Sequence, residues 1–380
     1  MKKLKYGQVG GGVGAFIGPV HRAAVSLAGK AELVAGCFSS DHKRNIESAK
    51  KLGIDPSRVY RTFEEMAEKE AKREDKIDFV SIVVPNYLHF EVAKSFLENG
   101  INVVCDKPLT LEIKDAFELV NLVKSTNLEF MVTYTYIGYS MIKKAKEIIK
   151  SGEIGKIKFV VAEYPQEWLL NKRTIGEGTS WRLKKEYMGV SSSVGDIGAH
   201  IESLVSFLTD LKVKRILAKL SCFIHPEKLD DNAFIILEYD SGAVGNYWTS
   251  QIASGNKNAL KLRIYGTEGS IEWEQEKPNR LILNKIGEPT KILFRGRETS
   301  SKLINSNLTL PMGHPEGFVE AFANLYSSFI EVLLNKKLGK PHPEKNFPDV
   351  LDGARGVTFV HTCVESSQRG SIWIDFPKID

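Results

Sequence analysis

Residues 4–18 read Leu-Lys-Tyr-Gly-Gln-Val-Gly-Gly-Gly-Val-Gly-Ala-Phe-Ile-Gly. A short strand pattern runs straight into Gly10-x-Gly12-x-x-Ala15, and the helix-like stretch Val20 to Leu27 follows. In such a turn Gly10 permits the tight bend, Gly12 lets the backbone approach a diphosphate, and a small residue at Ala15 lets helix and strand pack closely. The anion would then rest on the N-terminal dipole of the helix. Glycine-rich turns are common, so the weight lies in position: this one closes the first strand of the chain. Val13, inside the turn, joins Gly10, Gly12 and Ala15 as an expected dinucleotide contact.

Working outward, a second strand, Glu32-Leu33-Val34-Ala35-Gly36-Cys37-Phe38, ends without an acid. A carboxylate there would accept from the ribose 2'-hydroxyl of NAD, but Ser39 and Ser40 stand in its place, with Lys43 and Arg44 a helical turn further on. That set tolerates a 2'-phosphate; it is equally what a solvated helix face looks like, and Asp41 is within reach of a ribose. NAD and NADP both stay open. Residues 62–73 read as a polar helix, and Phe79-Val80-Ser81-Ile82-Val83-Val84 as a strand of a parallel sheet buried on both faces. It stops at Pro85-Asn86-Tyr87-Leu88-His89. Asn86 is a good helix cap, and Pro85, Asn86 and His89 are expected beside the cofactor, although a capping or packing role serves His89 as well.

A helix from Phe90 to Asn99, closed by Gly100, leads to Ile101-Asn102-Val103-Val104-Cys105-Asp106-Lys107-Pro108-Leu109. The apolar run is a buried strand, so Lys107 sits at a strand's carboxyl end, the edge where open α/β sheets bind ligands. Pro108 biases the lysine away from helix. Asp106 and Lys107 are counted among the cofactor contacts, and the lysine is also a cation suited to holding a substrate oxygen; the competing reading is a surface lysine in an ordinary strand-to-helix turn. Helix Ile113 to Lys124 and strand Glu129 to Thr135 complete an alternation that predicts a doubly wound parallel sheet over residues 1–138.

From residue 139 the pattern changes. After a helix from Met141 to Lys150, the segments Ile157 to Ala162, Val213 to Leu220, Ala233 to Tyr239, Ala243 to Ile252, Leu260 to Tyr265 and Ser270 to Glu274 read as strands joined by short turns. They predict a second α/β domain, residues 139–380, with an open and mostly antiparallel sheet. Its uncovered face suits self-association, hence a homodimer or homotetramer. Residues 275–311 carry little periodicity and read as a hairpin and a loop. Helices from Glu316 to Leu334 and Phe347 to Gln368 and a final strand, Ser371 to Asp375, close the chain. The chemically loaded stretch is Gly195-Asp196-Ile197-Gly198-Ala199-His200-Ile201-Glu202. On a helix Asp196 and His200 share a face, where an imidazole accepts a proton from a hydroxyl and the carboxylate orients a substrate or the charged ring. A capping acid with a satisfied histidine has the same spacing. Trp181 and Arg182 read either as an aromatic wall with a hydroxyl-binding guanidinium or as a core tryptophan beside a surface arginine.

With 380 residues the chain suits two domains. Its net charge of +5 is small for this length, and no basic run is interleaved with aromatics, which speaks against a nucleic-acid partner. The four cysteines are far apart and form no Cys-x-x-Cys pair, so neither a disulfide scaffold nor a metal site is expected, and a cytoplasmic setting fits. No stretch approaches the ~20 apolar residues that span a bilayer.

Taken together, the Gly10-x-Gly12-x-x-Ala15 turn, Val84-Pro85-Asn86-Tyr87-Leu88-His89, Cys105-Asp106-Lys107-Pro108 and Asp196-x-x-x-His200 resemble the glucose-fructose oxidoreductase, inositol dehydrogenase and MocA family, in its order and approximate spacing over nearly the whole chain. The resemblance implies a Rossmann domain followed by an α/β domain with an open sheet, NAD or NADP as hydride carrier, and a small sugar or polyol substrate, inositol-like first and an aldose second. It implies that Lys107 is the family's Glu-Lys-Pro lysine, that Asp196 and His200 are its substrate-site acid and proton-transferring histidine, and that Gly10, Gly12, Ala15, Asn86 and His89 are cofactor contacts. Tyr136, His314, Trp181 and Arg182 join Asp196 and His200 as expected substrate contacts. Two departures stand out: Asp106 replaces the usual glutamate, and Tyr136-Ile137-Gly138-Tyr139-Ser140 lacks the arginine of the family's Tyr-x-Arg-x-x-Pro pattern. Two other readings remain: a non-redox glycoside-processing enzyme with tightly held NAD, and a catalytically silent dinucleotide-binding sensor.

Overall fold

The computed structural model describes residues 3–170, 185–224, 229–296 and 310–379. The chain forms two compact units: residues 1–138 with Phe318–Ala354, and Tyr139–Gly317 with residues 355–380. The sequence reading gave all of 139–380 to the second domain; the structure returns Phe318–Ala354 to the first.

In the first unit five parallel strands, β1 (Leu4–Gly10), β2 (Ala31–Cys37), β3 (Phe79–Val83), β4 (Asn102–Cys105) and β5 (Phe130–Val132), lie in the order β2-β1-β3-β4-β5. Beyond β2 a single parallel bridge, Gly36 to Val59, marks the place of a sixth strand reduced to one residue pair. With that position counted, the order is that of the doubly wound dinucleotide fold, which reverses between β1 and β3. Every residue of β3 is buried, as a strand covered on both faces requires. The connecting helices are α1 (Ile17–Ala28), α2 (His42–Lys51), α3 (Phe63–Ala71), α4 (His89–Glu98) and α5 (Ile113–Thr126). The first helix therefore starts three residues earlier than its apolar pattern suggested, at Ile17 rather than Val20.

The returning segment is held by its aromatics. Helix α9 (Phe318–Lys337) sets Phe329 edge-on to Phe79 of β3, with centroids 5.5 Å apart. Its Tyr326 hydroxyl lies 2.8 Å from Ser81 Oγ and 2.7 Å from His21 Nδ1 of α1. Past the edge of the sheet, the Val132 amide donates to the Pro348 carbonyl at 2.9 Å. The helix also approaches the short 3₁₀ turn Thr135–Gly138, where Asn324 donates to the Gly138 carbonyl at 2.9 Å. A sheet fed from both sides exposes an apolar face unless each is covered, and Phe322, Tyr326 and Phe329, all buried, do the covering.

In the second unit, described-residue strands β6 (Ile157–Pro165), β7 (Val213–Ser221), β8 (Asn232–Tyr239), β9 (Val244–Ser250), β10 (Lys261–Gly266), β11 (Gly269–Glu274), β12 (Arg280–Lys285), β13 (Lys291–Phe294) and β14 (Ile374–Asp375) form one nine-stranded sheet, ordered β13-β12-β11-β10-β6-β9-β8-β7-β14. All neighbours are antiparallel except β6 and β9. Helices α6 (Ser140–Lys150) and α8 (Ala199–Thr209), the short α7 (Lys185–Met188) and the part of α10 (Val350–Gln368) from Arg355 onward belong to this unit. The strands alternate: Phe234 is 55 % exposed while its neighbours Ala233 and Ile235 are 0 % exposed. Phe159, Ile236 and Val244 are exposed like Phe234 and share its face of the sheet, beside the Arg215–Glu238 ion pair. No helix among the described residues is long and apolar enough to cross a membrane.

Two consequences can be measured. A Cβ at Gly138 would overlap the Ala321 carbonyl of α9, so Gly138→Ala should cost about 3 kcal/mol in urea unfolding, far above the cost of an exposed Gly→Ala change. His21 is buried, and its imidazole is pushed from 6.5 down to about 4, by burial first and against the pull of Asp106. A histidine with a depressed native pKa is neutral when folded and charges when unfolded, so its contribution is intact above pH 6.5 and is lost as the pH falls toward 4, in total about 3 kcal/mol. The urea midpoint of His21→Gln should accordingly fall less steeply over that window than that of the natural protein.

Candidate active site

In the first unit the ligand-facing edge is built around the turn after β1. Gly10 has a φ of +80°, and a Cβ there would strike the Val83 carbonyl of β3. The Gly12 amide donates to the Phe38 carbonyl at 3.2 Å, and a side chain at Gly12 would press on that carbonyl and on Ser48 Oγ. Ser48 Oγ accepts from the Val13 amide at 3.0 Å. Two carbonyls of the turn are held from behind: Gln8 Nε2 donates to Gly10 at 2.9 Å and Arg22 Nη1 to Gly11 at 2.8 Å. The close-packing position is Gly18, whose Cβ would run into Gly11, and not Ala15, which is exposed. The turn is thus three residues longer than a Gly-x-Gly-x-x-Ala spacing requires, and Val13 to Phe16 form an exposed lobe with the Phe16 ring 76 % exposed. Three consecutive glycines, Gly10 to Gly12, leave the end of β1 clear of side chains, and the turn opens on the first turn of the 12-residue α1, whose helix dipole favours a diphosphate, so these residues fit a dinucleotide.

At the end of β2 the polar set is partly committed to the fold. Asp41 caps α2, accepting from the Arg44 amide at 2.8 Å, and Ser39 Oγ accepts from the Asp41 amide at 3.2 Å. Ser40, Lys43 and Arg44 are exposed. Asn86 is not the helix cap: residues Asn86–Leu88 form a 3₁₀ turn that follows Pro85, and α4 begins at His89. His89 is fully buried, with Nδ1 2.6 Å from the Pro108 carbonyl and Nε2 3.0 Å from the Val84 carbonyl. Burial holds its pKa below the ordinary histidine range. It ties the end of β3 to the lysine turn, the packing role left open above.

That turn contains a cis Lys107–Pro108 peptide bond. Asp106 Oδ1 accepts from the Lys107 amide at 2.9 Å and from Thr133 Oγ1 at 2.7 Å. The shortened acid thus braces its own turn from β4 to β5, and Lys107 is half-buried at the strand's end.

In the second unit α8 is entered through a π-helical turn, Val194–Gly198, in which the Ala199 amide reaches back to the Val194 carbonyl. Such turns widen a helix by one residue and tend to accompany functional sites. Asp196 lies in this turn, partly exposed, and His200 in the first turn of α8, where it is 8 % exposed. The ring of Tyr164, at the end of β6, has its centroid 6.3 Å from that of His200. The π-turn is cradled by buried polar groups. Asp230 accepts from the Ser192 amide at 3.0 Å and the Val194 amide at 3.1 Å. Burial lifts the Asp230 carboxyl above the usual range, against the pull of Ser191 and those amides. Ser193 Oγ donates to Thr249 Oγ1 at 2.8 Å, and Ser192 Oγ to Gln251 Oε1 at 3.0 Å.

Of the other expected substrate contacts, Tyr136 is buried in the 3₁₀ turn before α6. His314 is exposed in a turn closed by its amide on the Pro311 carbonyl, while its own carbonyl accepts from the buried Arg295 guanidinium. Trp181 and Arg182 lie outside the described residues. Gln8, Gly18, Arg22, Ser48, Asp230 and Gln251 escaped the sequence reading. Only Gly18 left a signal there, as the glycine one residue inside α1. Among the described residues no cluster of three or more histidines, cysteines or acids is arranged to hold a metal ion.

Comparison with known proteins agrees with this geometry. Residues 4–134 match the model of the oxidoreductase family with an NAD-binding Rossmann fold, and residues 142–272 match the GFO/IDH/MocA C-terminal domain. An uncharacterised oxidoreductase of Bacillus subtilis is 33 % identical, covering 99 % of this chain and 97 % of its own. The levoglucosan dehydrogenase of Pseudarthrobacter phenanthrenivorans is 27 % identical over the full length of both chains. The crystal structure of an inositol dehydrogenase homolog from Azotobacter vinelandii, solved with NAD+, superposes with a TM-score of 0.93 at 33 % identity, covering 99 % of this chain and 98 % of that one. With its glycine turn, its Lys-Pro strand end and both domain models matched in order, the chain belongs to the Gfo/Idh/MocA family of NAD-binding oxidoreductases.

Proposed function

We propose that this protein reversibly oxidises a secondary hydroxyl of a cyclic polyol or sugar, an inositol-like ring in the first place and an aldose in the second. The observation that carries the reading is the pairing of a carboxylate and an imidazole, Asp196 and His200, on one polar-braced turn and helix, in a chain whose other unit ends a strand with a half-buried lysine. His200 takes the hydroxyl proton, as an imidazole does near neutral pH. Lys107 steadies the oxygen as negative charge develops, through a charge-assisted hydrogen bond. Asp196 accepts from a neighbouring hydroxyl and so selects which carbon reacts. Gly10, Gly12 and the amides of the turn would hold the dinucleotide, which when bound supplies the acceptor for the hydride leaving the carbon. The relatives named above, one acting on levoglucosan and one named for inositol, support a ring polyol as substrate class.

The open face of the nine-stranded sheet supports a second part of the reading, self-association of the chain through Phe159, Phe234, Ile236 and Val244. Phe234→Lys should lower the mass measured by light scattering to that of one chain; an unchanged multimeric mass places the interface elsewhere.

The catalytic assignment is tested by absorbance at the reduced-nicotinamide band with NAD+ and a panel of inositols, levoglucosan and aldoses. Lys107→Met should cut turnover by roughly 10²–10³-fold, the usual cost of one oxyanion donor, with NADH affinity within threefold of the natural protein. Full turnover in that variant would remove the lysine from the chemistry. A natural protein that binds NADH yet reduces no NAD+ with any polyol would be a non-redox enzyme or a sensor.

A further inference from the structure

Gln251 follows β9 and is wholly buried, yet its side-chain amide is spoken for at both ends. Oε1 accepts from Ser192 Oγ at 3.0 Å and Nε2 faces Asp196 Oδ2 at 3.5 Å; a hydroxyl can partner either end of an amide, so it is the carboxylate, an acceptor only, that selects Nε2 for its side. Its backbone is pinned as well: the Gln251 amide donates to the Asp231 carbonyl at 2.8 Å, and its carbonyl accepts from the Leu169 amide at 3.1 Å. On the other side of the π-turn, Asp230 holds the Ser192 and Val194 amides, and its own carbonyl accepts from the Ser193 amide at 3.0 Å. Ser192 is therefore the hinge of a chain running from Asp230 through Ser192 and Gln251 to Asp196. A buried amide and a buried acid are costly to place here without partners, and both have them: Asp230 satisfies the Ser192 and Val194 amides, and Gln251 Oε1 the Ser192 hydroxyl. The donor that this bracing leaves over is Gln251 Nε2, and it faces the one partly exposed group of the set, Asp196.

We infer that Gln251, held by Ser192 and backed by Asp230, is a positioning residue that turns the Asp196 carboxylate toward substrate. The inference rests on the proposed role of Asp196 and His200. It makes the polarity of the 196–251 pair, and not merely its volume, the quantity on which reactivity depends.

A cycle of Asp196→Asn, Gln251→Glu and the double variant tests it, with Gln251→Met as the uncharged isostere. Urea midpoints need no substrate. Gln251→Glu sets two carboxylates against each other, so its deficit from the natural protein should be larger at pH 8 than at pH 5. Adding Asp196→Asn restores one amide and one carboxylate and should recover at least half of that deficit. Turnover of myo-inositol with NAD+ reads the function: Gln251→Met should lower kcat/KM at least tenfold with the Kd for NADH within threefold, and the double variant should regain stability without regaining turnover. Natural kcat/KM in Gln251→Met, or a double variant no more stable than Gln251→Glu, would overturn the proposal. His200→Ala is the control for the reading beneath it. If that variant keeps full turnover while the midpoints behave as expected, the contact stands but the acid–base assignment fails, and the functional half of the inference fails with it.

Discussion

The contact of Gly18 with Gly11 is the constraint on which the first unit depends. Helix α1 meets the end of β1 at a distance only two glycines allow, since a Cβ on Gly18 would lie on the backbone of Gly11. That approach aims the N-terminus of α1 at the glycine turn, where the helix dipole favours a diphosphate. It also brings His21 to Ser81 and Tyr326, and so recruits a helix from nearly two hundred residues beyond the end of β5 to cover the sheet. The lobe from Val13 to Phe16 is the residue of this geometry, the extra chain left over when the packing glycine sits further along than a short turn would put it.

A different economy governs the second unit. Its sheet leaves Phe159, Phe234, Ile236 and Val244 exposed on one face, and the stretch that carries Asp196 and His200 is held by polar groups taken out of water. Asp230, Ser192, Ser193, Thr249 and Gln251 are all buried, and the contacts among them and with the Ser192 and Val194 amides pair donors with acceptors. A satisfied polar cluster specifies one arrangement, because any slip leaves a buried donor or acceptor without its partner, at about 1–3 kcal/mol each. Apolar packing around a π-turn would be more forgiving. The rigidity falls on the turn that carries Asp196 and leads into His200.

The lysine turn is built on a similar plan with fewer parts. His89 lies between the Val84 and Pro108 carbonyls, its single N–H donating to one of them, and Asp106 bridges Thr133 and the Lys107 amide. The shorter acid, which departs from the family's glutamate, is a brace between neighbouring strand ends. Both residues serve the lysine from behind.

The sequence by itself determined the alternation of strands and helices through Val132, the buried parallel strands at Phe79 and Val103, the glycine turn, the open alternating sheet and the Asp196–His200 spacing. All of these are local: periodicity, turn chemistry and side-chain volume act over a few residues, and a single chain carries them in plain view. Only the tertiary structure decided that Gly18 and not Ala15 takes the packing position, that Phe318–Ala354 folds with the first unit, that His89 supports and Asn86 does not cap, and that Gln251 and Asp230 attend the π-turn. The larger of these are set by partners far away in sequence, Phe79 for Phe329 or Ser192 for Gln251, and a hydrogen bond or a buried ring leaves no periodic trace at either end. Burial and donor-acceptor pairing belong to the folded surface, which exists only once the strands have been placed side by side.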